Sequence, residues 1–167
     1  MIELEPTARG AGFKFVNKIV GGVILKEYIP DVEAGIREAL RMEYPVIDVE
    51  TTLSFGSYHE IDSSAMAFRI AGQMAFHEAY VRAEPVLLEP IMKVKVEVPQ
   101  KSLGDVFDDI QLRRAKIDEL EESLSRLRAI VPLSELLGYA AYIHNKTGGQ
   151  GKVAMKFIGY DPVHTVH

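Results

Sequence analysis

The stretch that most restricts the fold runs from Pro90 to Pro99, Pro-Ile-Met-Lys-Val-Lys-Val-Glu-Val-Pro. Apolar and charged residues alternate along it, the period of a strand with one wet face and one dry face. The dry face requires a partner layer, and the residues that follow offer one. Ser102 to about Lys116 has helical spacing, with Leu103, Val106, Phe107, Ile110 and Leu112 turned inward. Ile117 to Leu120 reads as a short strand, although Asp118-Glu119-Leu120-Glu121-Glu122 would equally extend the helix. Leu124 to Val131 reads as a strand and Leu133 to about His144 as a helix. Lys152 to Tyr160 reads as a last strand carrying Val153, Met155, Phe157 and Ile158. The order is β-α-β-β-α-β, the split βαβ plan.

Upstream, Ile2 to Glu5 and Phe13 to Asn17 alternate in the same way, and Gly10 and Gly12 lie between them. Two short strands joined by a glycine turn predict a hairpin. From Pro30 the spacing is helical, with Ile29, Val32, Ile36, Ala39 and Leu40 on one side, and Pro45 ends the segment. A strand over Val46 to Leu53 leads into a corner, Phe55-Gly56-Ser57-Tyr58-His59-Glu60-Ile61-Asp62-Ser63-Ser64. A second helix is expected from about Ser63 to Arg82, with Met66, Ile70, Met74 and Ala75 as its inward stripe. Asp62 is its expected N-cap, because a carboxylate there accepts an N–H of the first turn. Gly72 is expected to allow close packing on the sheet. The boundary falls near 84 to 88. Residues 1–84 and 85–162 are then two α+β domains, each a helical layer on a sheet, and 163–167 form a tail.

Composition narrows the function classes. Among 167 residues, 47% are hydrophobic and 26% charged, as in an ordinary globular protein. No run approaches the ~20 apolar residues of a membrane span, and the first residues are not those of a secretory signal. The absence of cysteine excludes disulfides, thiolate metal sites and thiol catalysis. A cytoplasmic location with no membrane partner is the expectation. The net charge of −5 argues against DNA binding or non-specific coating of nucleic acid. Docking on RNA through a local patch stays open.

Catalytic constellations are sparse. Gly21-Gly22 and Gly148-Gly149-Gln150-Gly151 match neither G-x-x-x-x-G-K-[ST] nor G-x-G-x-x-G between a strand and a helix. His59, His77, His144, His164 and His167 lack the spacing of a metal site, so no metal is expected. Ser57, Ser63 or Ser64 beside His59, with Glu60 or Asp62, contains the ingredients of a hydrolytic triad. Triad members usually come from separate parts of a fold, however, and no G-x-S-x-G elbow is present.

One family accounts for many ordered blocks. Phe15-Val16-Asn17-Lys18-Ile19-Val20-Gly21-Gly22-Val23-Ile24 and Lys26-Glu27-Tyr28-Ile29-Pro30 resemble the fourth domain of bacterial elongation factor G. So do Tyr44-Pro45-Val46-Ile47-Asp48-Val49, Gly56 to Ser64 and Met66-Ala67-Phe68. Leu88-Glu89-Pro90-Ile91-Met92, Gly104-Asp105-Val106, Arg113-Arg114, Val131-Pro132-Leu133, Gly138-Tyr139-Ala140 and Lys146-Thr147 are similar to its fifth domain. The resemblance implies a partial ribosomal-protein-S5-domain-2-like β-α-β domain, lacking strands that normally precede Ile2, followed by a ferredoxin-like domain. It implies the ribosome-binding part of a translocase, whose GTP and Mg²⁺ site lies in domains N-terminal to these residues. The chain itself would then hold no cofactor and catalyse nothing.

By the same resemblance, Gly56, Ser57, Tyr58, His59 and Glu60 belong to a tip that reaches transfer RNA and messenger RNA at the decoding centre. The segment from Gly138 to Gly151, with Tyr139, His144, Lys146, Thr147 and Gln150, would meet large-subunit ribosomal RNA and the stalk base. Phe55 stands where the family usually has an acidic residue, Ala65 where it has glutamate and Leu25 where it has proline. Tyr142-Ile143-His144 and Gly149-Gln150 stand where arginines are common. These departures keep open a divergent paralogue acting in ribosome recycling or rescue. From another class, a stand-alone hydrolase or a protein-interaction module remains.

Overall fold

The computed structural model describes residues 1–41 and 45–163. The chain divides into two units, Met1–Pro85 and Val86–His167. Both combine helices with a sheet, and the fold is α+β.

In the first unit the elements are β1 (Ile2–Pro6), β2 (Phe13–Asn17), α1 (Ile29–Ala39), β3 (Val49–Leu53) and α2 (Ala65–Arg82). The sheet order is β1-β3-β2, with β3 antiparallel to β1 and parallel to β2. The expected hairpin therefore does not form. The turn at Gly10 and Gly12 is instead held against the start of β3. Asp48 accepts the Gly10 and Gly12 N–H groups at 3.0 and 2.8 Å, and its own carbonyl accepts Thr7 N–H at 2.8 Å. The central strand is accordingly the most buried, with Val49, Thr51, Thr52 and Leu53 inside.

The two helices meet through glycines. A Cβ on Gly35 of α1 would stand 2.0 Å from the Arg69 carbonyl oxygen of α2, and one on Gly72 would stand 2.5 Å from the Val32 carbonyl oxygen. Gly72 thus serves a helix–helix approach rather than a helix–sheet one. Phe68 and Phe76, one turn to either side of it, fill the core with Val32 and Ile36. This reverses the expected facing of α2. Met66, Ile70 and Met74 are 62%, 46% and 68% exposed. Close backbone approach at Gly72, with a phenylalanine on each side, orients the helix more strongly than the methionine and isoleucine count does. Glu38 of α1 closes the contact by accepting from Arg69 and from Gln73 of α2.

The second unit contains β4 (Leu88–Glu97), α3 (Leu103–Gln111), β5 (Lys116–Glu121), β6 (Arg126–Pro132), α4 (Tyr139–Lys146) and β7 (Lys152–Pro162). Its antiparallel sheet has the order β5-β6-β4-β7, so β6 is inserted between β4 and β5 as the split βαβ plan requires. Val94, Val96, Leu127, Ala129 and Val131 line one face and pack against Val106, Ile110, Tyr139 and Ile143 of the helices. The segment at Ile117 is a strand, not a helical extension. The helix stops at Gln111, Leu112 is 85% exposed rather than inward, and Arg114, at φ 53, turns the chain into β5. The helix expected over Leu133 to His144 is also divided. A 3-10 turn, Leu133–Leu136, is separated from α4 by Gly138 at φ 75. At the other end β7 includes Pro162, and Val163 donates to Leu87. The remaining tail positions, with His164 and His167, lie outside the described residues.

Candidate functional site

The corner after β3 is built by backbone pairing at its base and a closed loop at its crown. Ser54 N–H donates to the Met1 carbonyl at 3.2 Å, so the edge strand β1 supports the residues leaving β3. Gly56 follows, and a Cβ there would lie 2.3 Å from Cδ1 of the buried Ile24. The glycine is required by the protein's own packing. Tyr58 stacks on Tyr28 with ring centroids 6.0 Å apart, and Tyr28 stacks on Phe68 at 4.8 Å. One face of Tyr58 is therefore committed to an internal aromatic column, and the ring anchors the corner to α2.

Beyond Tyr58 the chain closes on itself. His59 N–H donates to Ser63 Oγ at 2.9 Å, and Ser63 N–H returns to the His59 carbonyl at 3.0 Å. Ser57, just before this closed turn, and His59 and Glu60 within it are all exposed. Asp62 is exposed in the same turn, and it does not cap α2. Ser64 does, accepting Ala67 N–H at 3.1 Å from an extended backbone at φ −148, ψ 163. The helix begins two residues later than expected, which leaves Asp62 too far upstream to reach its first turn.

These bonds also bear on the triad. Ser63 Oγ and Ser64 Oγ each accept a backbone N–H, and among the described residues no hydrogen bond joins the His59 ring to a serine. The arrangement presents polar groups on a loop closed by its own hydrogen bonds. The Ser63 and Ser64 hydroxyl oxygens serve the backbone of the turn and of the helix start.

The second candidate segment separates into interior and exterior residues. Tyr139 is fully buried against the sheet, where burial pushes its phenol well above the ordinary value. Its hydroxyl has no hydrogen-bond partner among the described residues. Thr147 is also buried, donating to the Ile143 carbonyl at 2.7 Å and accepting Gly151 N–H at 2.7 Å. Both residues are removed from any surface contact because they close the core beneath α4. His144, Lys146 and Gln150 are exposed, and Lys146 pairs with Asp105 at 3.0 Å. The glycine-rich loop does not fit a nucleotide phosphate. It leads from α4 into β7, Gly149 N–H is spent on the His144 carbonyl at 2.7 Å, and Gly151 N–H is spent on Thr147.

Sequence reasoning assigned no role to Arg113 and Arg114. Arg113 lies over the rings of Tyr139 and Tyr142 at 4.7 and 5.4 Å and donates to Asp109 and to the Glu135 carbonyl. Arg114 grips both carboxylate oxygens of Glu89, at 2.8 and 2.9 Å, and reaches Glu135 at 2.9 Å. The Asp109–Arg113 spacing of one helical turn was visible in the sequence. The partners from β4 and the 3-10 turn were not. The pair ties α3 to those elements and so fixes the scaffold that carries the second segment.

Residues 1–84 match the domain family described as elongation factor G, domain IV, and residues 86–167 match the family described as elongation factor G C-terminus. The chain belongs to the elongation factor G family. A crystal structure of a Thermus thermophilus protein is similar, with 42% identity and a TM-score of 0.83 over 96% of this chain. The elongation-factor-G-family chain spans 25% of that protein's length. Family membership identifies a translation-factor sequence, and the second unit has the ferredoxin-like strand order expected of it. Among the described residues, no helix is long and apolar enough to cross a membrane, and no cluster of three or more histidines or carboxylates is placed to hold a metal ion.

Proposed function

We propose that this chain is the ribosome-binding portion of a translational GTPase of the elongation factor G family, with the corner at Gly56 to Glu60 as its working tip. The observation that supports this most is the outward presentation of His59. It stands on a loop closed by its own backbone bonds with Ser63 and anchored by the Tyr58–Tyr28 stack. The imidazole N–H of His59 and the Ser57 hydroxyl suit phosphate and ribose oxygens of transfer RNA and messenger RNA. The mechanism is steric: the tip fills space that a transfer RNA leaves and prevents its return. His144, Lys146 and Gln150 form the exposed part of the second surface, directed at ribosomal RNA and the stalk base.

On this reading the chain carries no catalytic residues, works in the cytoplasm, and depends on GTP and Mg²⁺ bound by another part of the parent factor. In the intact factor, His59→Ala is expected to slow single-turnover translocation while ribosome-stimulated GTP hydrolysis stays near wild type. Equal loss of both activities would sink the tip role. The exposed Phe55, in place of an acidic residue, favours a second reading, a recycling or rescue paralogue. Absence of transfer RNA movement by a factor that still hydrolyses GTP on ribosomes would select it.

A further inference from the structure

The helix-free face of the second sheet carries a charge arrangement that folding alone does not favour. Lys93 on β4 lies directly across from Lys156 on β7, and Lys95 on β4 lies directly across from Arg128 on β6. Directly opposed side chains in antiparallel strands have Cβ atoms about 5 Å apart, and like charges there repel. Lys93 and Lys95 are two residues apart on one strand and so share this face with both partners. The four cations surround Ala154, the residue opposite Lys95, whose short side chain leaves an open depression of about 220 Å³.

Neutralisation is only partial, and it comes from the margins. Lys93 pairs with Asp118 at 2.8 Å, Lys95 with Glu97 at 2.8 Å and Arg128 with Glu119. Lys156 has no ion-pair partner among the described residues. No carboxylate stands between the two opposed pairs, since the neighbours across from Lys93 and Lys95 on their other sides are Ile130 and Ala154. An isolated small anion would satisfy one or two of these cations. A backbone bearing successive phosphates would satisfy both rows and relieve both repulsions.

We infer that the face bearing Lys93, Lys95, Arg128 and Lys156 docks the phosphate backbone of an RNA strand, a surface separate from the corner at His59 and from the α4 segment. The choice of RNA over DNA rests on the translation-factor reading. The phosphate chemistry does not. No base-reading aromatic lies among these four cations, so the contact is electrostatic and tolerant of sequence.

The test uses the 167-residue chain and a fluorescein-labelled 20-nucleotide RNA hairpin, with anisotropy recorded across a potassium chloride series. Wild-type protein is expected to bind with an affinity that falls as salt rises. Lys93→Ala/Lys156→Ala is expected to reduce the slope of log affinity against log salt by about 2, one for each lysine withdrawn from a phosphate. The same variant is expected to melt close to wild type, because relief of the opposed like-charge pair offsets loss of the half-exposed Lys93–Asp118 pair. Lys14→Ala/Lys26→Ala in the first unit changes the net charge equally and is expected to leave the slope unchanged. Three results would overturn the inference: no RNA binding by wild type at low salt, equal slopes in both double variants and wild type, or equal slope losses in both double variants. Equally tight binding of polyglutamate of the same length would reassign the face to an acidic protein. A DNA hairpin bound more tightly than RNA would overturn the RNA choice alone. Because His59 is intact throughout, failure here leaves the tip untouched, and a failed His59→Ala translocation test leaves this face untouched.

Discussion

Gly35 and Arg69 stand at the closest approach of the two helices of the first unit: the Cβ that Gly35 lacks would overlap the Arg69 carbonyl oxygen at 2.0 Å. No rotamer change clears a backbone atom, so the helices must separate to admit any side chain. Gly35→Ala gains about 1 kcal/mol of helix propensity. Overpacking of this kind costs roughly 1–3 kcal/mol or more, and separating the helices also disturbs Glu38 with Arg69 and Gln73. The expected net effect is a loss of stability, seen as a lower urea midpoint for the first unit. Gly104→Ala in α3 is the control. Nothing lies within 4 Å of its Cβ position, so it is expected to stabilise by several tenths up to about 1 kcal/mol.

At the corner, Gly56→Ala is expected to destabilise by about 1–2 kcal/mol through its clash with Cδ1 of Ile24. Ile24→Val removes that methyl group. The double variant Gly56→Ala/Ile24→Val should be more stable than the sum of the single changes predicts, a positive coupling measurable by a double-mutant cycle. Additive losses would mean that the glycine serves some other contact.

The two residues that compete for the start of α2 can be separated by substitution. Ser64→Ala removes the acceptor for Ala67 N–H and is expected to cost about 1 kcal/mol. Asp62→Ala is expected to change stability by less than about 0.5 kcal/mol, the usual range for an exposed position without special contacts. Amide exchange of Ala67 and Phe68 reports the fraying directly, with protection lost only in the Ser64 variant.

Acid should loosen the first unit through Asp48. The Gly10 and Gly12 N–H groups hold its carboxyl below the ordinary aspartate value. In the unfolded chain the group titrates near pH 3.9. Since the folded value is lower, the stabilisation is fully present above the unfolded value and is lost as pH falls through the folded one. Asp48→Asn is expected to flatten the dependence of the urea midpoint on pH below about 4, read from the β3 amide signals. An unchanged acid limb in the variant would remove Asp48 from the account.

How much could be read in advance depended on where the partner of each residue lay in the chain. The alternation from Ile91 to Val98 announced its own strand, because one face of β4 is packed and the other is wet. The boundary between α3 and β5 was ambiguous from Asp118 to Glu122, since charged residues suit an exposed strand as well as a helix surface. On α2, apolar residues occur nearly all round, so periodicity could not choose between the Met66–Ile70–Met74 and Phe68–Gly72–Phe76 faces. The decision came from Val32 and Gly35, on another helix. The corner repeats the lesson. Exposure of Ser57, His59 and Glu60 agrees with what a presented loop should show, whereas the commitment of Tyr58 to Tyr28 rests on a contact across thirty positions of sequence. Tyr139 and Thr147 looked like surface candidates until the packing of α4 placed them inside.

The pairing of β1 and β2 with β3 rather than with each other has a consequence for how the first unit comes into being. Every ladder in that sheet includes a residue between Val49 and Leu53. Among the described residues β1 and β2 pair only with β3, so these ladders wait for β3, and the cost of closing the intervening loops precedes any reward from pairing. While the chain is being synthesised, these ladders cannot begin until Val49 has emerged and cannot be completed before Leu53. Until then Ile2, Leu4, Phe13 and Phe15 lack part of the core they pack against, and the unfinished first unit is expected to be most prone to aggregate in that interval.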